Sequence, residues 1–388
     1  MTTTRFQCSS EDRSSLAPGP ALRLGSGSLS AFHVCGIVGF ALGLVTWFGV
    51  TWLRGLSLGM MAVLVASGVA TFLGFALLTK IIQGEEELIY YRHEIVVLLV
   101  AALVLWLAGQ PLLAYLEIAL LGVGVFLACG RVGCFLVGCC HGRPHSFGVR
   151  YGAEHADAGF PKELVGVRLL PVQLFEAAAV TAIVALGVAM VSRQAAPGTV
   201  LAWYSIVYGV IRFSLEFLRG DGARRYYGSF SEAQWTTLAL MGLVGAGELC
   251  GVLPLSTWHV AVTALLAVFM VVWAFSDSQS RRLFRATHVQ ELAAVLRAAD
   301  ARSLETGRLH VGKTRVGLRL SSCTVTSPAA APVHTLAFSV ADHALAEGTA
   351  RKLARLLTRL EDKPAELVMG RSGTYHLVFS NGGGERGV

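Results

Sequence analysis

Charge is what this sequence has least of. Of its 388 residues, 15% are Asp, Glu, Lys or Arg, while 54% are hydrophobic. A soluble domain carries about 25% charged residues. The shortfall falls before residue 276, which excludes an ordinary soluble enzyme for most of the chain. A basic run with interleaved aromatics is also missing. The net charge of +7 is therefore not read as a nucleic-acid footprint, because arginines flanking apolar stretches sit well among anionic lipid headgroups. The eight cysteines form no disulfide framework. Only Cys139 and Cys140 are adjacent, and most lie in apolar segments, where Cys acts as a small hydrophobe. Residues 1–30 are rich in Ser, Gly and Pro and have no hydrophobic core, which argues against a cleaved signal peptide. The first apolar run would act as the targeting signal.

Long apolar runs are what the chain has instead. A membrane-spanning helix needs about 20 such residues. Eight stretches qualify, at about 31–53, 55–80, 94–109, 111–136, 171–192, 198–218, 232–254 and 257–275. The third is short, and the second can absorb a kink at its glycines. This predicts an all-α polytopic membrane protein, with seven to eight transmembrane helices and a small C-terminal α+β soluble domain. The boundaries read as a flexible leader (1–30), a membrane domain (31–275), a basic juxtamembrane linker (276–285) and the α+β domain (286–388). Within the last, 289–299 has helical periodicity and 309–320 alternates as strands do. Residues 321–332 read as a Ser/Thr/Ala/Pro-rich connection, 334–340 and 374–379 as strands, and 344–360 as a basic amphipathic helix. A loose tail begins at Gly382. No catalytic motif is visible there, so this part reads as an interaction or stabilising module.

The charges that remain in the membrane part are informative. Tyr208, Arg212, Glu216 and Arg219 are spaced four, four and three residues apart. At about 100° per residue they fall within roughly 80° of arc on one helix face. Charges at or inside a membrane helix are costly and usually functional. A second segment, residues 129–143, contains Gly130, Arg131, Gly133, Cys134, Gly138, Cys139, Cys140, His141 and Gly142. Its glycines break helix regularity and allow close backbone approach. Its cysteines and histidine fit a zinc or copper site by ligand type. They lack the usual Cys-x2-Cys spacing, so a tight glycine-rich helix end without metal is the preferred reading. In a third segment, Pro171 suits a first helical turn, and Gln173 and Glu176 share a face. A fourth, 85–94, sets Arg92 and His93 at the mouth of the third run.

One chemistry joins these pieces. Guanidinium forks from different helices, Arg131, Arg212 and Arg219, can converge on a phosphate. Glu216 would hold the arginines, a neutral His could accept a proton, and the apolar bundle would admit acyl chains. A phospholipid substrate follows. The plainer alternative is arginines that snorkel to the interface beside a structural Glu216.

In this order, the segments resemble the prolipoprotein diacylglyceryl transferase family. The resemblance rests on Gly130-Arg131-Val132-Gly133-Cys134-Phe135 with Gly138 and Gly142, on Pro171, Gln173 and Glu176, and on Tyr208, Arg212, Glu216 and Arg219. It spans about residues 20–255. It implies transfer of a diacylglyceryl group from phosphatidylglycerol to the lipobox cysteine thiol of a preprolipoprotein, with glycerol phosphate leaving. The implied partners are phosphatidylglycerol, the preprolipoprotein signal peptide and the lipid bilayer. No cofactor or metal is implied, and the place implied is the bacterial inner membrane. Arg131 and Arg212 would hold the lipid phosphate, Arg219 and Glu216 would shape the site, and Tyr208 would donate a hydrogen bond. Gln173, Glu176, Gly130, Gly133 and Gly138 would line it. His93, in His93-Glu94-Ile95-Val96, stands where the family has His-Gly-Gly-Leu. The glycines are absent, Leu170 replaces a His, and Phe175 replaces a Tyr. The resemblance implies a site facing the outer side, whereas Arg281, Arg282 and Arg285 favour the inner side. The competing functions are a non-enzymatic lipid-binding sensor or transporter, and a related lipid transferase with another acceptor.

Overall fold

The computed structural model describes residues 4–6, 16–24, 27–83, 90–222, 224–275, 282–306, 309–327, 330–340, 345–370 and 373–379. The expected tail from 382, the linker residues 276–281 and the acidic run 85–89 lie outside them. Eight long helices follow the apolar runs: α1 (Ala31–Leu53), α2 (Leu58–Gln83), α3 (Tyr90–Leu107), α4 (Leu112–Val137), α6 (Val172–Ser192), α7 (Thr199–Glu216), α8 (Glu232–Leu249) and α9 (Thr257–Phe275). A short helix, α5 (Ala153–Asp157), lies in the long connection between α4 and α6. By length and composition, α1, α2, α4, α6 and α9 are able to cross a membrane. Helices α3, α7 and α8 each have 18 residues but carry polar groups, namely His93 and Glu94, Arg212 and Glu216, and Gln234 and Glu248. Short connectors join α1 to α2, α3 to α4 and α6 to α7, and such connectors favour antiparallel neighbours. Large apolar side chains such as Ile37, Leu73, Trp106 and Phe275 face outward, where hydrocarbon rather than water suits them. Helices α1 and α4 approach through glycine, since a Cβ on Gly39 would meet the Cys129 Cβ at 2.7 Å.

One end of the bundle is latched by charge. Arg54, just after α1, pairs with buried Glu117 of α4 at 2.9 Å and donates to the Ala195 carbonyl at 2.7 Å. The second oxygen of Glu117 accepts from the Gly198 N–H at 2.9 Å.

The other end carries a six-stranded antiparallel sheet, in the order β1-β11-β12-β10-β9-β8. Its strands are β1 (Thr4–Phe6), β8 (His310–Lys313), β9 (Leu318–Ser327), β10 (Ala330–Val340), β11 (Ala365–Met369) and β12 (Tyr375–Phe379). Helices α10 (Ala286–Thr306) and α11 (Glu347–Glu361) accompany it. The expected α+β character is present, with four differences. The expected strand over 309–320 is broken by a turn, where Gly317 takes φ +86° and its N–H bonds the Thr314 carbonyl at 2.9 Å. The expected connection over 321–332 is instead the facing halves of β9 and β10, with register Val333↔Val325 and Thr335↔Cys323. Strand β11 had no expectation. The leader is not wholly flexible either. Strand β1 pairs with β11, and β2 (Ala21–Leu24) pairs with β3 (Gly27–Ser30).

The sheet shares its core with the α4–α6 connection. Tyr151, Phe160, Leu164 and Leu169 cluster with Leu318, Leu336, Leu353 and Phe379. Arg150 of β4 (Pro144–Arg150) pairs with Asp362, and Gln290 donates to Glu163 at 2.8 Å. The α4–α6 connection thus lies between the bundle and the sheet.

Candidate active site: a buried arginine and carboxylate cluster

Helix α4 brings Arg131 and Cys134 down to its last turns and then stops at Gly138. That residue is left-handed, with φ +83°, and its N–H bonds the Cys134 carbonyl at 2.9 Å. A side chain there would meet Phe160 at 2.8 Å, so glycine is required twice over. Two residues on, Cys140 is also left-handed at φ 54°, which is uncommon outside glycine. The turn is pinned from elsewhere. Gln173 donates to the Cys139 carbonyl at 2.8 Å, Gly142 N–H bonds the Leu170 carbonyl at 2.9 Å, and Gly220 N–H bonds the His141 carbonyl at 2.8 Å. A Cβ on Gly142 would lie 2.4 Å from the Leu170 oxygen. Gly142→Ala is therefore expected to destabilise the fold by about 1–3 kcal/mol, the usual cost of overpacking. Thermal unfolding in detergent measures this.

Pro171 precedes α6, and Gln173 and Glu176 both turn inward and are buried. On α7, Tyr208, Arg212 and Glu216 lie one turn apart, as expected. Arg219 lies beyond the end of α7 at Glu216. Its N–H still reaches the Leu215 carbonyl at 3.2 Å, which extends the stripe by one turn, and it then forms a bridge with Gly142.

Two carboxylates organise the cluster. Glu176 accepts from the Tyr208 hydroxyl at 2.9 Å and forms ion pairs with Arg131 Nε at 3.0 Å and Arg212 Nε at 3.8 Å, neither of them with hydrogen-bond geometry. Glu216 receives Arg212 Nη1 at 2.6 Å and Arg224 Nη1 at 2.7 Å, with Arg219 Nη1 at 3.9 Å. Arg219 also forks onto Asp221, at 2.9 and 2.8 Å. Arg131, Arg212 and Arg219 are all buried. Charge-assisted forks of this kind fix guanidinium orientation. The Oε1 atom of Gln173 is buried and has no hydrogen-bond partner among the described residues.

The remaining expected residues are placed as follows. His93 packs between the Phe72 and Phe75 rings of α2, at centroid distances of 4.9 and 4.8 Å. Its neighbour Glu94 lies in electrostatic reach of Arg131, Glu176, Tyr204 and Tyr208. Gly133 lies against Phe32 and Cys35 of α1, and Gly130 has open space beside it. Glu94, Asp221 and Arg224 had no expectation. Glu94 was adjacent to a residue singled out, while Asp221 and Arg224 lie in a loop with no periodicity to reveal them.

The cysteines also converge. The sulfur atoms of Cys134, Cys139 and Cys140 lie within 4.8 Å of one another. The hydrogen bonds among the three split their thiols, holding that of Cys140 well below its ordinary pKa, with help from the charges of Arg219 and Arg131, and pushing that of Cys139 up. His141 does not join them. Its Nδ1 faces the Gly142 carbonyl at 3.0 Å, its ring meets Phe160 edge-on, and burial lowers its pKa.

Helices α4, α6 and α7, and all of α3 but its first residue, which build this cluster, lie in one matched segment. Residues 91–249 match the sequence model of the prolipoprotein diacylglyceryl transferase family. Two curated relatives agree. The chain is 34% identical over 110 residues to a phosphatidylglycerol–prolipoprotein diacylglyceryl transferase of Clostridium tetani (strain Massachusetts / E88), covering 28% of this chain and 42% of that protein. It is 31% identical over 126 residues to phosphatidylglycerol–prolipoprotein diacylglyceryl transferase 2 of Clostridium perfringens (strain 13 / Type A), covering 31% of this chain and 45% of that one. The matched part thus spans less than half the length of either relative. The resemblance read from the motifs therefore holds for the segment carrying Arg131, Gln173, Glu176, Tyr208, Arg212, Glu216 and Arg219. The prolipoprotein diacylglyceryl transferase match stops before α9, the C-terminal sheet and its helices.

Proposed function

We propose that this chain transfers a diacylglyceryl group from phosphatidylglycerol to the lipobox cysteine thiol of a preprolipoprotein in the bacterial inner membrane, releasing glycerol phosphate. The observation that carries this reading is the pair Arg131 and Arg212. They come from different helices and share Glu176 in a buried site. Four guanidiniums (Arg131, Arg212, Arg219, Arg224) meet three carboxylates (Glu176, Glu216, Asp221), a surplus of one positive charge. That surplus suits a phosphodiester. Tyr208 holds Glu176 in place, and Gln173 Oε1 is an acceptor for a headgroup hydroxyl. Gly130 and Gly133 keep the wall beside Arg131 thin, and Gly138 turns the chain back under it. We further propose eight crossings, α1–α4 and α6–α9, with the cluster and the C-terminal sheet on the same side.

An assay with the full chain in lipid nanodiscs tests this. Phosphatidylglycerol labelled in its diacylglyceryl part should label a lipobox peptide and release glycerol phosphate. Lipid that binds without transfer would favour the sensor reading. Glu94 supplies a finer check. When ionised it cancels the positive surplus, so Glu94→Gln should lower KM for the anionic lipid several-fold. An unchanged KM would place Glu94 outside the lipid site.

A further inference from the structure

Alkylating a thiol requires the thiolate, and the arginine cluster offers little to make one. His93 is enclosed by Phe72 and Phe75. The nearby group of a different chemistry is the trio Cys134, Cys139 and Cys140. Three observations lift it above chance crowding. The chain reverses through two left-handed residues, Gly138 and Cys140. At Cys140, a non-glycine residue, this conformation is costly and persists only where the surroundings impose it. Those surroundings are the bonds from Gln173, Leu170 and Gly220. Access is graded, with Cys134 buried, Cys140 partly buried and Cys139 exposed. Arg131 and Arg219 lie in electrostatic reach of Cys140 and offset the negative charge that thiolates would bring.

We propose that Cys134, Cys139 and Cys140 bind a zinc-type ion through three thiolates, and that its open fourth position takes the acceptor thiol. Zinc–sulfur bonds of about 2.3 Å place tetrahedral sulfurs roughly 3.8 Å apart. The sulfurs all lie within 4.8 Å of one another, so a small side-chain rotation suffices to reach that spacing. Three protein ligands and one open position is the arrangement of catalytic rather than structural zinc. Soft thiolates select such ions. His141 is kept from the fourth position by its contacts with Gly142 and Phe160. The acceptor role rests on the transferase reading, whereas the metal site does not. In the step itself, the acceptor S–H binds the ion and its proton passes to water at the exposed side. The sulfur electron pair attacks the glyceryl carbon, the S–C bond forms and the C–O bond breaks. That electron pair leaves on the phosphate oxygen of glycerol phosphate, beside Arg131 and Arg212. The neutral thioether is a poor ligand and departs. Nothing is oxidised or reduced.

The full chain, purified anaerobically in detergent and dialysed against Zn2+, should retain about one ion per chain by elemental analysis. Cys139→Ser changes an exposed position and should weaken zinc binding more than tenfold while the helical signal is kept. The double variant Cys134→Ser/Cys139→Ser should lose it. With Co2+ in place of zinc, a lipobox peptide should perturb the sulfur-to-metal charge-transfer band, and its Cys→Ser counterpart should not. Three results overturn the site: no stoichiometric zinc, zinc retained by the double variant, or a disulfide among the three cysteines in protein taken directly from membranes. Equal transfer by metal-free and metal-loaded chain would overturn the acceptor role and leave the transferase reading standing. No transfer, with zinc bound and the cobalt spectrum responding to peptide, would overturn the transferase reading and leave the site standing.

Discussion

Arg131→Ala is expected to lower kcat/KM for diacylglyceryl transfer by roughly a hundredfold to a thousandfold, the usual cost of removing one donor aimed at developing negative charge. The loss has two parts. The leaving phosphate loses one guanidinium, and Glu176 loses its closest cation, at 3.0 Å. Glu176 would then compete for Arg212, which lies 3.8 Å away, and draw it from the lipid. Glu176→Gln separates the two parts. It keeps the shape and the Tyr208 contact but frees both arginines, so its defect should be smaller than that of Arg131→Ala. Labelled phosphatidylglycerol and a lipobox peptide measure the rates, and circular dichroism in detergent checks that both variants fold. Normal transfer by Arg131→Ala would refute the phosphate clamp.

Glu117→Ala should destabilise the bundle by about 3–5 kcal/mol, the cost of leaving a buried ion unpaired. Arg54 would keep its bonds to Ala195 and Gln194 but lose its carboxylate partner at 2.9 Å, and the Gly198 N–H would lose its acceptor. The latch ties the ends of α1, α4 and the α6–α7 loop together far from Arg131. The variant should therefore unfold at a lower temperature in detergent. Glu117→Gln, which can still accept from Gly198, should recover part of the loss. Equal unfolding temperatures for wild type and Glu117→Ala would show the latch to be idle.

The helices and most of the arginine cluster were legible because both obey simple periods. Apolar runs mark α1–α4 and α6–α9, though not the short α5, and the four-residue spacing of Tyr208, Arg212 and Glu216 puts them on one face. Gln173 and Glu176 followed from Pro171 and a spacing of three. Periodicity failed where the backbone leaves it. A helix rotates about 100° per residue, so a shift of one position exchanges His93 for Glu94, and the polar start of α3 offered no apolar pattern to fix the phase. Asp221 and Arg224 lie in a loop. The cysteine trio depends on positive φ at Cys140, which no spacing rule encodes. Strand β1 was invisible because three residues, TRF, carry no pattern and the partner lies near the other end of the chain.

That pairing of Thr4 with Leu367 constrains arithmetic as well as packing. A chain whose two ends lie in one sheet crosses a membrane an even number of times. The eight crossings proposed above meet that condition, whereas seven would not. Removing one helix by mutation would invert one end relative to the other and split the sheet. The edge formed by β1 also cannot be completed until β11 has been synthesised, after every helix of the bundle.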